Sequence, residues 1–194
     1  MDRDTELEYV ARLRAGDTDA FDLVHAEFNG RLFAFLARLA RSRDIAEDLL
    51  EETWLRLVEH ADRLHEDTRL AAWLFTVARN LYVSYCRSRA LEEASVPGLI
   101  GLWPTGLRTS PFEEAAANEL ERRLEAALAN LPFRYREVLL LVGIEGLRPA
   151  EAARVCGISA EALRQRLSRA RALLEQRLRD ADRSISVRLS EVRS

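Results

Sequence analysis

The chain contains no lysine, so every one of its basic residues is an arginine. The planar arginine fork suits phosphates and guanine edges, although a GC-rich coding bias is the simpler source of the exchange. Cysteine is almost as scarce. Cys86 and Cys156 lie far apart and form no CxxC, which argues against a disulfide framework or a cysteine zinc site and for two buried small hydrophobes. No apolar run reaches the length of a membrane span, and the start, Met1-Asp2-Arg3-Asp4, is charged rather than leader-like. The expectation is a cytosolic (cytoplasmic) protein without membrane insertion. Histidine occurs only at His25, His60 and His65. Asp22 with His25 and Asp62 with His65 have DxxH spacing, but no ExxH or HExxH pattern accompanies them. There is no phosphate-binding glycine loop and no nucleophile elbow. These absences argue against an enzyme and leave no catalytic, cofactor or metal residue to nominate.

What is present is a 194-residue chain that is 48% apolar, enough for one large or two small cores. The net charge of −3 argues against a protein gripping DNA along its whole length. It permits a basic face for nucleic acid and a separate acidic face for another partner.

The apolar spacing is helical throughout, with no alternating run that would read as a strand. A first helix is expected over 4–15, stopped by Gly16. A second is expected over 18–40, with an irregularity at Asn29-Gly30. A capping box of Asp44 and Glu47 would start a third, running to about residue 60. A polar loop at 61–69 leads to a fourth helix over 70–89, burying Trp73, Leu74, Val77, Ala78 and Leu81. Residues 92–111 then hold three of the five prolines and three of the eight glycines, which marks a domain boundary. Leu99, Ile100, Leu102 and Trp103 make this linker apolar rather than a plain tether. Beyond it, 113–130 is expected to be helical with Leu120, Leu124, Leu128 and Leu131 in register, followed by a helix over 134–142 and a turn bracketed by Gly143 and Gly146. The tail after about residue 180 is expected to fray. The fold class is all-α: two helical domains, 1–91 and 113–180, joined by a linker at 92–112 and followed by a tail at 181–194.

The stretch LRPAEAARVCGISAEALRQRLSRARA from Leu147 carries the most information. Pro149 suits a first helical position, where a missing N–H costs nothing. Gly157 supplies a left-handed turn, and Ser159 can cap the next helix. Ala152, Ala153, Ile158, Leu163 and Leu167 are spaced to bury facing sides of two helices, while Arg164, Arg166, Arg169 and Arg171 stay outside. This is the layout of a DNA-reading helix-turn-helix. A helical hairpin with a solvated basic face has some of the same features.

Two further stretches, DIAEDLLEETWLRLV from Asp44 and AWLFTVARNLYVSYCRSR from Ala72, precede LPFRYREVLLLVGIEGLRPAEAARVCGIS from Leu131. In this order they resemble the extracytoplasmic-function (ECF) sigma factors of bacterial RNA polymerase, of the sigma-70 family. The resemblance covers nearly the whole chain apart from linker and tail. It implies a non-enzymatic transcription initiation factor that binds core RNA polymerase through sigma region 2 and recognises promoter DNA at −10 and −35, the latter through sigma region 4. By that resemblance Asp48, Leu49 and Glu52 contact core polymerase, with Glu51 standing where the family more often has glutamine. Asn80, Arg79, Arg87 and Thr76, with the loop residues His65, Glu66 and Asp67, hold the −10 strand. Thr76 and Ser84 depart from the family's usual arginine and aspartate. Arg164, Gln165, Ser168 and Arg169 match the −35 readers, with Ser159, Arg166 and Arg171 as backbone contacts. An anti-sigma factor is the expected regulatory partner. The rival is a stand-alone two-domain helix-turn-helix transcriptional regulator. The acidic helix at Glu47, Asp48, Glu51 and Glu52 and the AWLFTVARN helix argue against it, because a sensor domain needs neither.

Overall fold

The computed structural model describes residues 2–94, 112 and 118–191. Among these, all regular structure is helical: α1 (Arg3–Arg14), α2 (Thr18–Ala40), α3 (Arg43–His60), α4 (Leu70–Ala94), α5 (Glu119–Ala129), α6 (Phe133–Leu139), α7 (Pro149–Cys156) and α8 (Ala160–Glu191). A 3-10 turn at Ala61–Arg63 follows α3, and a π-helical turn at Leu140–Ile144 follows α6.

Local signals explain most boundaries. Asp2 and Asp17 cap α1 and α2, each accepting two backbone N–H groups through its side chain. Gly16 takes a left-handed φ of 77° and ends α1. Helix α2 runs unbroken through Asn29-Gly30, so the expected irregularity is absent. Asn29 instead points sideways, its Oδ1 accepting from Trp54 Nε1 at 3.0 Å. The expected capping box at Asp44 is also corrected. Helix α3 begins one residue earlier, at Arg43, which puts Asp44 inside the first turn. Glu47 there accepts from Arg43 Nε at 2.8 Å rather than turning back to a cap. The cause lies upstream: α2 ends on Arg41 in a left-handed conformation, φ 53°, leaving Ser42 as the N-cap position.

Helices α1 to α4 bury Val10, Val24, Phe28, Leu32, Phe35, Leu36, Leu57, Leu74, Phe75 and Ala78, each at most 1% exposed. The expected stripe on α4 is rotated. Phe75, Tyr82 and Cys86 face inward with Leu74 and Ala78, while Trp73, Val77 and Leu81 are only half-buried. In the C-terminal part, Leu128 and Leu131 enter the core, but Leu120 and Leu124 are exposed. Described helix at α5 starts at Glu119, so most of the expected 113–118 turn falls outside the described residues, as do Leu99, Ile100, Leu102 and Trp103. The tail was expected to fray; the backbone of α8 remains helical to Glu191.

The two groups of helices share one contiguous apolar core. Helix α7 packs on α4, and α6 approaches α2. Arginine-centred contacts rim this seam. Arg38 meets Glu125 with Nη2···Oε1 at 2.7 Å and Nε to both carboxylate oxygens at 3.1 and 3.2 Å. Arg31 Nε donates to Glu145 Oε2 at 3.1 Å and Arg31 Nη2 to the Glu145 carbonyl at 3.0 Å. Buried Arg136 donates from Nη1 to the Arg38 and Leu39 carbonyls at 3.0 and 3.3 Å, a cation capping the C-terminal end of α2. Burial pushes the Arg136 guanidinium below its ordinary value, so these carbonyls are the groups that make its charge tolerable.

Candidate nucleic-acid and partner interfaces

The helix-turn-helix forms as its sequence dictates. Pro149 is the first residue of α7, and Gly157 follows the helix with a φ of 65°. Ser159 Oγ accepts from Ala162 N at 3.1 Å, starting α8. Ala152, Ala153, Leu163, Leu167 and Ala170 are buried between the helices, whereas Ile158 is only half-buried. With that face committed to packing, α8 presents Arg164, Gln165, Ser168, Arg169 and Arg171 to solvent, and Ser159 stands exposed at its start. Five donors on one exposed helix face, following a capped N-terminus, can reach base edges and phosphates in a major groove. Arg148 is held by Glu151, Nη2···Oε1 at 2.7 Å, while Glu151 Oε2 accepts from the Arg148 backbone N–H at 3.1 Å. Burial raises the Glu151 pKa, but these hydrogen bonds outweigh it and leave the carboxyl below its ordinary value.

Arg166 does not belong to that exposed face. It is half-buried, with Nη1 3.5 Å from Glu137 Oε1. The other oxygen of the same carboxylate accepts from Arg79 Nε at 3.0 Å. Glu137 is 1% exposed, and burial pushes its pKa up against the pull of both arginines. Two residues assigned by sequence to different DNA elements thus meet on one buried carboxylate.

The rest of the −10 set is dispersed around the start and outer side of α4. His65, Glu66 and Asp67 are exposed on the 61–69 loop. His65 Nδ1 lies 2.6 Å from Asp67 Oδ1, Glu66 pairs with Arg14 at 3.0 Å, and Arg3 donates to the Asp67 and Thr68 carbonyls. These bonds hold the loop against α1. Buried Glu6 fixes its far end by accepting from the Leu70 N–H at 2.8 Å. Asn80 and Arg87 are exposed on α4. Thr76 is half-buried and donates its hydroxyl to the Ala72 carbonyl at 2.6 Å, which spends its donor within the helix.

On α3, Asp48 and Glu51 are exposed and Glu52 is half-exposed, paired with Arg56 at 2.8 Å. Leu49 is 9% exposed and points into the core. An exposed apolar groove on this helix was missed from sequence. Leu50, Trp54, Leu55 and Val58 of α3, with Phe21 and His25 of α2, line a groove of about 400 Å³ beside Glu47 and Glu51. Leu55 is 51% and Val58 61% exposed. The available signal was that Leu50, Leu55 and Val58 fall outside the buried set of Ala46, Leu49, Thr53, Trp54 and Leu57. No group of three or more His, Cys, Asp or Glu side chains among the described residues is placed to hold a metal. Both cysteines are buried and free, and burial pushes the Cys156 thiol up to about 12. No helix among the described residues is long and apolar enough to cross a membrane.

The described residues thus form an all-helical arrangement with a helix-turn-helix and an acidic, apolar-grooved helix, and comparison with known proteins identifies its family. The sigma-70 region 2 family profile matches residues 24–92, and the sigma-70 region 4 profile matches residues 121–174. The chain is 38% identical over 143 residues to the ECF RNA polymerase sigma factor EcfG of Rhodopseudomonas palustris, covering 74% of this chain and 76% of that one. It is 30% identical to the ECF RNA polymerase sigma factor SigM of Bacillus subtilis, covering 79% and 92%. Among solved structures, the sigma factor RpoE of Bartonella quintana, in complex with the anti-sigma factor NepR, superposes with a TM-score of 0.69 at 28% identity, over 82% of this chain and 96% of that one. CnrH, in complex with the cytosolic domain of CnrY, gives the same TM-score at 25% identity, over 92% and 99%. The chain belongs to the ECF sigma factors of the sigma-70 family and is an RNA polymerase sigma factor.

Proposed function

We propose that residues 1–91 bind core RNA polymerase and the −10 strand, that residues 113–180 read the −35 element, and that residues 92–112 link the two, with 181–194 a tail. The single observation that carries the DNA assignment is the face of α8. Arg164, Gln165, Ser168 and Arg169 stand outside while Leu163 and Leu167 lock the helix from behind. Arginine forks onto guanine and glutamine pairs with adenine, so this face can discriminate bases. Asp48, Glu51 and Glu52, beside the groove formed by Leu50, Leu55 and Val58, make the polymerase contact. Such acidic groups steer association with a basic partner, and the apolar groove supplies buried area.

On this reading the protein has no catalytic site and needs no cofactor, and it acts in the bacterial cytoplasm on promoter DNA. An anti-sigma factor is its regulatory partner, a reading supported by the anti-sigma complex in which the similar RpoE fold was solved. Replacement of Arg164 or Arg169 by alanine is expected to weaken −35-dependent initiation by about 1–3 kcal/mol in binding terms and to relax preference at the matching base pair. The assay is transcription by core polymerase from promoters carrying every single −35 substitution. Unchanged selectivity in both variants would refute the base-reading role of α8.

A further inference from the structure

We propose that helix α1 sets −10 selectivity, with Glu6 and Arg3 as positioning residues that fix the backbone of the 61–69 loop so that His65, Glu66 and Asp67 meet the DNA strand in one arrangement. The inference rests on the reading of that loop as part of the −10 contact. Leu64 and Leu70 are buried and pin the two ends of an arch, and residues 65–67 stand exposed between them. Within the arch the Thr68 N–H donates to the His65 carbonyl at 3.0 Å, closing a turn.

The strongest polar ties of the arch run to α1. Arg3 Nη2 donates to the Asp67 carbonyl at 2.9 Å, and Arg3 Nη1 to the Thr68 carbonyl at 3.3 Å. The same Nη1 donates to Glu6 Oε2 at 2.7 Å. Glu6 is 7% exposed. Its Oε2 also accepts from Arg69 Nη1 at 3.2 Å, and its Oε1 accepts from the Leu70 N–H at 2.8 Å. One buried carboxylate thus joins α1, the end of the loop and the start of α4. Charge-assisted bonds to a buried carboxylate are stronger than an exposed ion pair. Glu6 therefore outweighs the Arg14–Glu66 contact, whose carboxylate side chain is 83% exposed. Arg3 grips carbonyls rather than side chains, which leaves the His65 and Asp67 side chains exposed for DNA. Groups that read a ligand need placement within about 0.5 Å by a supporting shell. A loop ordered before binding avoids the cost of ordering at that moment.

The test uses the full chain with core polymerase and promoters carrying every single −10 substitution, beside the matching −35 set. Glu6→Gln keeps an acceptor for the Leu70 N–H but removes the charge that holds Arg3 and Arg69. Amide hydrogen exchange should quicken at 65–69 and stay unchanged in α3 and the interior of α4. The −10 base preference should fall by roughly fivefold, the lower end of what one base contact discriminates. The −35 preference and co-elution with core polymerase should stay as they are, which general destabilisation would not spare. Arg3→Met should reproduce the loss, and Arg3→Lys, which reaches a carbonyl but cannot fork onto two, should restore only part of it. Should circular dichroism show that Glu6→Gln fails to fold, Arg3→Met carries the same expectations. Unchanged loop exchange, or faster exchange with the −10 preference intact, would overturn the proposal. His65→Ala and Asp67→Ala separate the two levels. If they shift the −10 preference and the α1 variants do not, the positioning role fails and the loop reading stands. If none of these variants shifts it, the loop reading fails and the proposal falls with it.

Discussion

Arg38 of α2 and Glu125 of α5, 87 positions apart, meet in a bidentate contact at 2.7 Å, each with about an eighth of its side chain exposed. Arg38 also lies over the Phe112 ring, 3.8 Å from its centroid. Removing one partner strands the other in a largely dehydrated site. Glu125→Ala is expected to cost about 2 kcal/mol of stability by urea denaturation. A double-mutant cycle with Arg38→Ala should return a coupling energy of about 1 kcal/mol or more. Additive losses would mean the pair does no more than an exposed one.

The helix-turn-helix depends on Leu163, which is fully buried. Leu163→Ala is expected to cost about 3 kcal/mol through the cavity it leaves. Ser159→Ala, which removes only the cap on Ala162 N, should cost about 1 kcal/mol. Thermal unfolding of both variants tests this ranking, and a larger loss from Ser159→Ala would contradict the packing described for α8.

On α3 the burial pattern separates support from contact. Leu49→Ala is expected to lower stability by about 2–3 kcal/mol, because its side chain fills the core. Asp48→Arg with Glu52→Arg, or Val58→Asp alone, should leave the fold intact and weaken binding to core polymerase. Co-elution of each folded variant with core polymerase checks this. Undiminished co-elution of Val58→Asp would exclude the groove from the contact.

Acid and base act on different carboxylates. Burial raises Glu137 and Glu145 above the ordinary value of 4.5, so the folded chain holds their protons more tightly than the unfolded chain does. Their contribution to stability is therefore fully present below pH 4.5 and is lost as pH rises through the raised values. The Arg12 hydrogen bond lowers Asp17, whose contribution has the opposite sign and is lost on acidification below its ordinary 3.8. Glu137→Gln should flatten the decline of the urea midpoint on going from pH 4.5 towards neutrality and leave the acid limb in place. An unchanged decline would remove Glu137 as its source.

What the sequence disclosed was local. The helix-turn-helix was legible because Pro149, Gly157 and Ser159 punctuate it and the alanine and leucine spacing fixes its inner face. The capping box at Asp44 misled because a left-handed Arg41 shifts the start of α3, and arginine gives no warning of that conformation. The rotation of α4, which puts Tyr82 and Cys86 inside and leaves Trp73 half-buried, accompanies packing against α2, α3 and α7 together and cannot be read from one helix. The tail was expected to fray, yet no glycine or proline follows Gly157 to stop α8. The contacts of Arg31, Arg38, Arg79 and Arg136 with distant partners were illegible for a plainer reason. Among so many arginines and carboxylates, nothing in the chain says which will meet.

The most direct test of the account is run-off transcription from a pool of genomic fragments by bacterial core RNA polymerase, with and without this protein. The account predicts protein-dependent transcripts that share paired −10 and −35 sequences, with the −35 preference altered by Arg169→Ala. Transcripts absent with folded protein and active core, or present without any shared element, would contradict it.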